Sequence, residues 1–211
     1  MSTEERYPVR ETGLVIVDPL NDFLSEGGKG WDAVKEVVTS VGVVPNLKKL
    51  LAGAHARGMH CFYAPMCTYP QDYQDWKFLS PIQKSTYAVQ MFQAGSWGAE
   101  FHPELKPEPG DIVVAPHKTS CAFVSTELDL QLRQHGIERI VLAGMLANTC
   151  VELTGRYAVE LGYHVTFLKD AVGATSWEAQ RAAIEVNYPR YASAILTVDE
   201  FLESVSEKSE M

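Results

Sequence analysis

Two stretches decide the fold: Gly13-Leu14-Val15-Ile16-Val17-Asp18 and Arg139-Ile140-Val141-Leu142-Ala143-Gly144. Both are nearly continuous apolar runs rich in β-branched residues, which is how a strand covered on both faces reads. Residues 60–65, 112–115 and 164–168 read the same way, and 194–198 is a weaker sixth run. Helical patterns fall between them. Residues 44–57 put Leu47, Leu50, Leu51 and Ala54 on one face and stop at Gly58. Residues 125–134 open on Ser-Thr-Glu, a capping pattern, and stop at Gly136. Residues 148–161 carry Val151, Thr154, Ala158 and Leu161 as a stripe and stop at Gly162. Residues 176–186 start on a serine cap and present Ala179, Ala182 and Ala183 inward. Alternating strand and helix predict an α/β chain: one domain over residues 1–211, with a mostly parallel sheet of about six strands between two helix layers.

Residues 68–109 break this rhythm. They are rich in Tyr, Trp, Gln and Pro and contain Ala94-Gly95-Ser96-Trp97-Gly98. An irregular stretch of this length in a compact domain is usually functional or disordered, and its aromatic content favours an ordered insert. An ordered insert beside a binding site and a contact between subunits are equally open readings, with Trp97 the best single candidate for a pocket wall.

The chain has 211 residues and a formal charge of −9. That balance argues against nucleic acid and against anionic membranes, both of which need clustered positive charge. No apolar run approaches the roughly 20 residues that span a bilayer. The charged start, Met-Ser-Thr-Glu-Glu-Arg, lacks the apolar core of a secretion signal, so a cytoplasmic location is expected. Cys61, Cys67, Cys121 and Cys150 are then expected as free thiols, and none forms a Cys-x-x-Cys pair.

Ligands of open parallel sheets bind at the carboxyl ends of the strands. Asp18 follows the first run, His117-Lys118 the third, and Asn148-Thr149-Cys150 the fourth. Cys150 falls where a helix begins. Unpaired N–H donors and the helix dipole favour a thiolate there, and the same donors can hold an oxyanion. A thiol in an apolar neighbourhood can equally be a small core residue. Asp18, before Pro19, reads either as a turn residue or as an acid that moves protons. Asp22 reads as a loop hydrogen-bonding residue. His117 and Lys118 compete as the basic partner, and the residues alone do not choose between them.

Three ordered motifs carry a resemblance to a known family. Val15-Ile16-Val17-Asp18-Pro19-Leu20-Asn21-Asp22-Phe23 resembles the opening of the isochorismatase-like cysteine hydrolases. His117-Lys118 before Ser120-Cys121-Ala122-Phe123 resembles their lysine motif. Ala143-Gly144-Met145-Leu146-Ala147-Asn148-Thr149-Cys150-Val151 resembles their nucleophile motif, and Lys169-Asp170-Ala171 also matches. The resemblance implies a triad of Asp18, Lys118 and Cys150 and a cis peptide between Met145 and Leu146. It implies an oxyanion hole from the N–H groups of Leu146 and Cys150. Phe23, Trp97 and Met145 are the expected substrate contacts. It also implies self-association, as a dimer or tetramer.

Departures from the family sharpen this. The metal-binding histidines of nicotinamidases are missing after the second strand, where Met66-Cys67-Thr68-Tyr69-Pro70-Gln71-Asp72 stands. No metal or other cofactor is therefore expected in the pocket. Members that cleave the vinyl ether of isochorismate lack the cysteine, so Cys150 favours C–N cleavage through a thioester. Gly95-Ser96-Trp97-Gly98-Ala99-Glu100 resembles members acting on ureido and carbamoyl compounds. The expected partner is thus a small amide, ureide or carbamoyl compound. Vinyl-ether hydrolysis by Asp18 alone, and an idle member acting through a protein partner, are the alternatives.

Overall fold

The computed structural model describes residues 7–206. Eight strands are present: β1 (Tyr7–Pro8), β2 (Thr12–Val17), β3 (His60–Ala64), β4 (Ile112–Val113), β5 (Arg139–Met145), β6 (His164–Gly173), β7 (Ala194–Leu196) and β8 (Val205–Ser206). Six of them form one parallel sheet in the order β4-β3-β2-β5-β6-β7, while β1 and β8 pair apart from it. Every expected strand is there. β6 runs further than its first apolar run suggests: past Lys169 and Asp170, and a register shift between Leu142 and Gly144, the buried Val172 and Gly173 pair with β5 again.

All of β2 is buried, as a central strand covered on both faces should be. Its side chains alternate between the two cores. Leu14 and Ile16 join one core, with Leu47, Leu50 and Phe201. Val15 and Val17 join the other, with Leu132, Val151 and Phe167. Helices α2 (Trp31–Val41), α3 (Val43–His55) and α8 (Val198–Ser204) cover the first face. Helices α5 (Leu128–Gln134), α6 (Glu152–Glu160) and α7 (Trp177–Arg181) cover the second. Truncating a fully buried residue such as Leu47 or Leu50 to Ala would cost roughly 2–5 kcal/mol.

Two local expectations shift. Ser125 does not cap α5; it sits at φ 66°, and the helix starts three residues later. Glu127 is drawn elsewhere, accepting the N–H of Ala115 at 3.0 Å. Ala182 is exposed while Ala183 is buried, because the helix widens into a π-type turn after Arg181 and rotates the alanine face. Ser176 caps α7 as expected, accepting the N–H of Ala179.

The insert is ordered. It contains α4 (Pro81–Ala88), closed by a capping box between Ser80 and Gln83, and two short 3-10 turns at Trp97–Ala99 and Pro103–Leu105. The short helix α1 (Asn21–Leu24) supplies its anchor. Asp22 is buried and accepts the N–H groups of Lys29 at 2.9 Å and Phe92 at 2.7 Å, while Asn21 donates to the Trp97 carbonyl at 2.9 Å. No helix among the described residues is long and apolar enough to cross a membrane.

Candidate active site

The sheet order reverses between β2 and β5. The chain builds outward from β2 through β3 to β4, then crosses over to start the other half at β5. A crevice opens at the carboxyl ends of such a pair. Asp18 follows one of these strands and Cys150 follows the other. Gly144 permits their close approach: at φ 114° a Cβ there would lie 2.0 Å from the Val17 carbonyl oxygen.

Asp18 is fully buried and has φ 49°, an uncommon conformation for a residue with a side chain. That turn is held by its N–H, which donates to Ala64 O at 3.1 Å. One carboxylate oxygen, Oδ1, accepts the Met66 N–H at 2.6 Å and faces His117 Nε2 at 3.0 Å. The other, Oδ2, is buried with no hydrogen-bond partner among the described residues. Backbone strain of this kind collects at functional sites.

Cys150 lies in a wide π-type turn, Ala147–Val151, that leads into α6. The cis peptide between Met145 and Leu146 immediately precedes that turn. The thiol is pushed well above its ordinary range, first by burial and then by the Asp18 carboxylate. The Thr149 hydroxyl and the Leu146 N–H pull the other way. The resting sulfur is therefore a thiol beside a carboxylate. A helix start alone does not make it the thiolate that position suggested, because burial and a neighbouring negative charge outweigh the dipole.

The basic partner is the main correction. His117, not Lys118, reaches Asp18. The segment after β4 continues the sheet pairing, with His117 opposite Met66 and its N–H on Pro65 O at 3.0 Å. Neighbouring side chains of an extended segment point to opposite sides. His117 turns inward and is fully buried, so Lys118 turns outward. Lys118 Nζ pairs with Asp72 at 2.6 Å, donates to the Cys67 carbonyl at 3.0 Å and lies 4.2 Å from the centre of the Tyr69 ring. His117 Nδ1 faces the Thr119 carbonyl at 2.5 Å. With acceptors at both ring nitrogens the imidazolium is favoured. Burial opposes it, but the Asp18 charge and the carbonyl contacts prevail and hold its pKa above the ordinary histidine value. The adjacent loop is braced by Ala122 N–H on Thr154 Oγ1 at 3.0 Å and by Tyr73 Oη on Lys118 O at 2.8 Å.

A cavity of about 20 Å³ touches Cys150 and is walled by Phe23, Met66, Phe92 and Leu146, with Ile82, Gln83 and Thr86 from the insert. It shares Ile82, Ser120 and Thr149 with an outer cleft of about 290 Å³ that also borders Asn148, Glu152 and Arg156. Of the expected substrate contacts, Phe23 and the insert line this cavity. Trp97 does not: it is 48% exposed, and its backbone rather than its ring ties the insert to Asn21. Met145 does not either, because its side chain lies in the core against Gly173. The residues missed by sequence reading are Met66, Ile82 and Phe92. Nothing local distinguishes them from ordinary apolar positions.

A model of the isochorismatase domain matches residues 12–199. The chain belongs to the isochorismatase family. It is 30% identical to the ureidoacrylate amidohydrolase RutB of Pantoea ananatis, over 97% of this chain and 86% of that one. The N-carbamoylsarcosine amidase of Thermoplasma acidophilum superposes with a TM-score of 0.70 at 25% identity, covering 90% of this chain and 97% of that one. A cysteine hydrolase from Pseudomonas syringae pv. phaseolicola superposes with a TM-score of 0.80 over 96% of this chain and 97% of that one; at 21% identity it speaks for the fold.

Proposed function

We propose that this isochorismatase-family chain hydrolyses a C–N bond in a small amide, ureide or carbamoyl compound, with Cys150 as nucleophile. One observation carries the mechanism: a buried Asp18 has one oxygen engaged by Met66 and His117 and the other with no hydrogen-bond partner among the described residues, while its carboxylate acts on the buried Cys150 thiol. As Sγ attacks the substrate carbonyl, its proton passes to the open Asp18 oxygen. The N–H groups of Leu146 and Cys150 receive the oxyanion. Collapse breaks the C–N bond, and Asp18 returns the proton to the leaving nitrogen. Water then attacks the thioester and gives its proton to Asp18; collapse breaks the C–S bond and releases the acid, and Asp18 returns the proton to the sulfur. His117, as imidazolium, holds Asp18 oriented through the contact of its Nε2 with Oδ1. Lys118 serves the wall of the insert rather than the proton path.

The relatives named for ureidoacrylate and N-carbamoylsarcosine support the substrate class. Four free thiols fit a reducing, cytoplasmic compartment. Trp76, Phe78 and Val89 expose apolar surface on the insert, which supports self-association through that face. The test is release of ammonia or amine across a panel of amides, ureides and carbamoyl compounds, with mass detection of an acyl adduct on Cys150. A Cys150→Ala enzyme that still turns over, beside an inactive Asp18→Asn enzyme, would sink the thioester reading and leave hydrolysis by Asp18 without a covalent intermediate. Inactivity of the wild type throughout the panel would count against the C–N reading.

A further inference from the structure

A second thiol, imidazole and carboxylate meet at the opposite end of the sheet. His55 ends α3, Cys61 lies near the start of β3, and Asp111 immediately precedes β4. Their ligand atoms all lie within 4.8 Å of one another. We propose that His55 Nε2, Cys61 Sγ and an Asp111 carboxylate oxygen form a site for a divalent transition metal of the zinc type, remote from Cys150.

The donor set is one that zinc takes: imidazole nitrogen, thiolate sulfur and carboxylate oxygen, with a fourth position for water. Ligand bonds of about 2.0–2.3 Å put tetrahedral donors roughly 3.5 Å apart, so the observed spread closes by small side-chain rotations. The surroundings supply the supporting partner that metal-bound histidines have. His55 Nε2 is 2.9 Å from Asp111 Oδ1, and its other nitrogen, Nδ1, lies 3.6 Å from Glu108 Oε2. The charge of a carboxylate near the far nitrogen favours the tautomer that leaves Nε2 free for ligation. Asp111 is itself held, its Oδ2 accepting the Glu108 N–H at 2.8 Å. Beside the cluster, the Tyr63 hydroxyl is buried with no hydrogen-bond partner among the described residues, and it feels the charges of Asp111 and Glu108. An ion or its water would give that hydroxyl a neighbour to bond.

Without metal the Cys61 thiol is pushed up to about 12 by burial and by Asp111, so it is protonated at neutral pH. On binding, the thiol releases one proton to solvent and the sulfur bonds the ion. His55 moves its ring proton to Nδ1, facing Glu108, and offers Nε2. Affinity therefore rises with pH. The ion would fasten β4, a strand of only two residues at the edge of the sheet, to β3 and α3. His117 stands a few residues beyond that strand, so the clamp would steady the segment that carries it.

The test uses the full chain, freed of metal by chelator, with Co²⁺ and Zn²⁺ as probes. Cobalt should bind once per chain and give a thiolate-to-cobalt charge-transfer band. Zinc should displace it and raise the melting temperature by about 5–10 °C at a hundredfold excess over Kd. His55→Gln at the cluster's more open rim and Asp111→Asn should each weaken binding at least tenfold. Cys61→Ser should abolish the band, and Cys150→Ser should keep it. Absence of the band from wild type would overturn the proposal. So would a band lost in Cys150→Ser and retained in Cys61→Ser, which would assign the metal to the other thiol.

Discussion

The two ends of the sheet hold the same three kinds of side chain and differ in what the backbone does around them. At the carboxyl end, Cys150 has burial and Asp18 raising its pKa, but the Leu146 N–H and the Thr149 hydroxyl favour the anion. At the amino end, burial, Asp111 and Glu108 all act on Cys61 in the same direction, against the thiolate. The carboxyl end also adjoins a cleft, and its aspartate keeps one oxygen without a hydrogen-bond partner among the described residues. At the amino end both Asp111 oxygens are engaged, by His55 and by the Glu108 N–H. A thiol, an acid and a base do not by themselves make a reactive site. Donors aimed at developing charge, and room for a substrate, separate the two.

Removing each sulfur gives the sharpest contrast. Cys150→Ala should lower kcat/KM on the order of 10⁴-fold or more, because no neighbouring group can replace the covalent step. Cys61→Ala should leave turnover near wild type while lowering stability, since it empties packed volume. Steady-state assays with a circular-dichroism check of folding measure both. A folded Cys61→Ala protein as inactive as Cys150→Ala would erase the distinction drawn between the two ends.

The two carboxylates come next. Asp18→Asn should cost roughly 10²–10⁴-fold in kcat, the usual range for losing a positioned proton acceptor. Asp111→Asn should cost little activity. If the asparagine at position 18 retains most of the wild-type rate, the thiol proton goes somewhere other than Asp18.

Within the carboxyl end, His117 and Lys118 can be told apart. His117→Gln should lower kcat about 10²-fold by loosening Asp18, and His117→Lys should recover part of it by restoring a cation. Lys118→Gln should leave kcat nearly unchanged, because its charge is spent on Asp72. The reverse ranking in a single-turnover assay would return the basic role to Lys118.

The smallest effect is a pH dependence of stability. His117 has a raised pKa in the folded protein, so its stabilising contribution is complete below the unfolded value of about 6.5. That contribution fades as pH climbs through the folded value. In urea titrations the stability gap between wild type and His117→Gln should therefore narrow from pH 6 towards alkaline pH. A gap that widens would mean that the buried imidazole is neutral.

The strands were legible because a fully covered parallel strand can hardly be written without a continuous apolar run, as 13–18 and 139–144 show. The face of α3 was legible for a similar reason: Leu47, Leu50, Leu51 and Ala54 recur at helical spacing, and all four are buried. Helix α2 was harder to see, since its Val34, Val37 and Val38 are β-branched and Gly30 opens it without a side-chain cap. The pair β1–β8 joins segments almost the whole chain apart, and two-residue strands leave no periodic trace.

Asp18, directly after β2, and Cys150, in the turn that follows β5, could be placed at the carboxyl edge from position, and the family resemblance then singled them out as the expected reacting groups. Which of two adjacent residues turns inward is a different kind of fact. His117 and Lys118 are one bond apart in the chain, and their roles depend on the register in which 117 pairs with Met66 on the neighbouring strand. Likewise Trp97 was the conspicuous aromatic, yet the cavity took Ile82 and Phe92, because the Asp22 clamp sets how the insert folds back. The amino-end cluster draws His55, Cys61 and Asp111 from three elements whose meeting only the sheet order produces. Local residue chemistry determined most of the elements and put the two proposed reacting groups at one edge of the sheet. Register and long-range packing, which couple residues distant in the chain, decided what surrounds them.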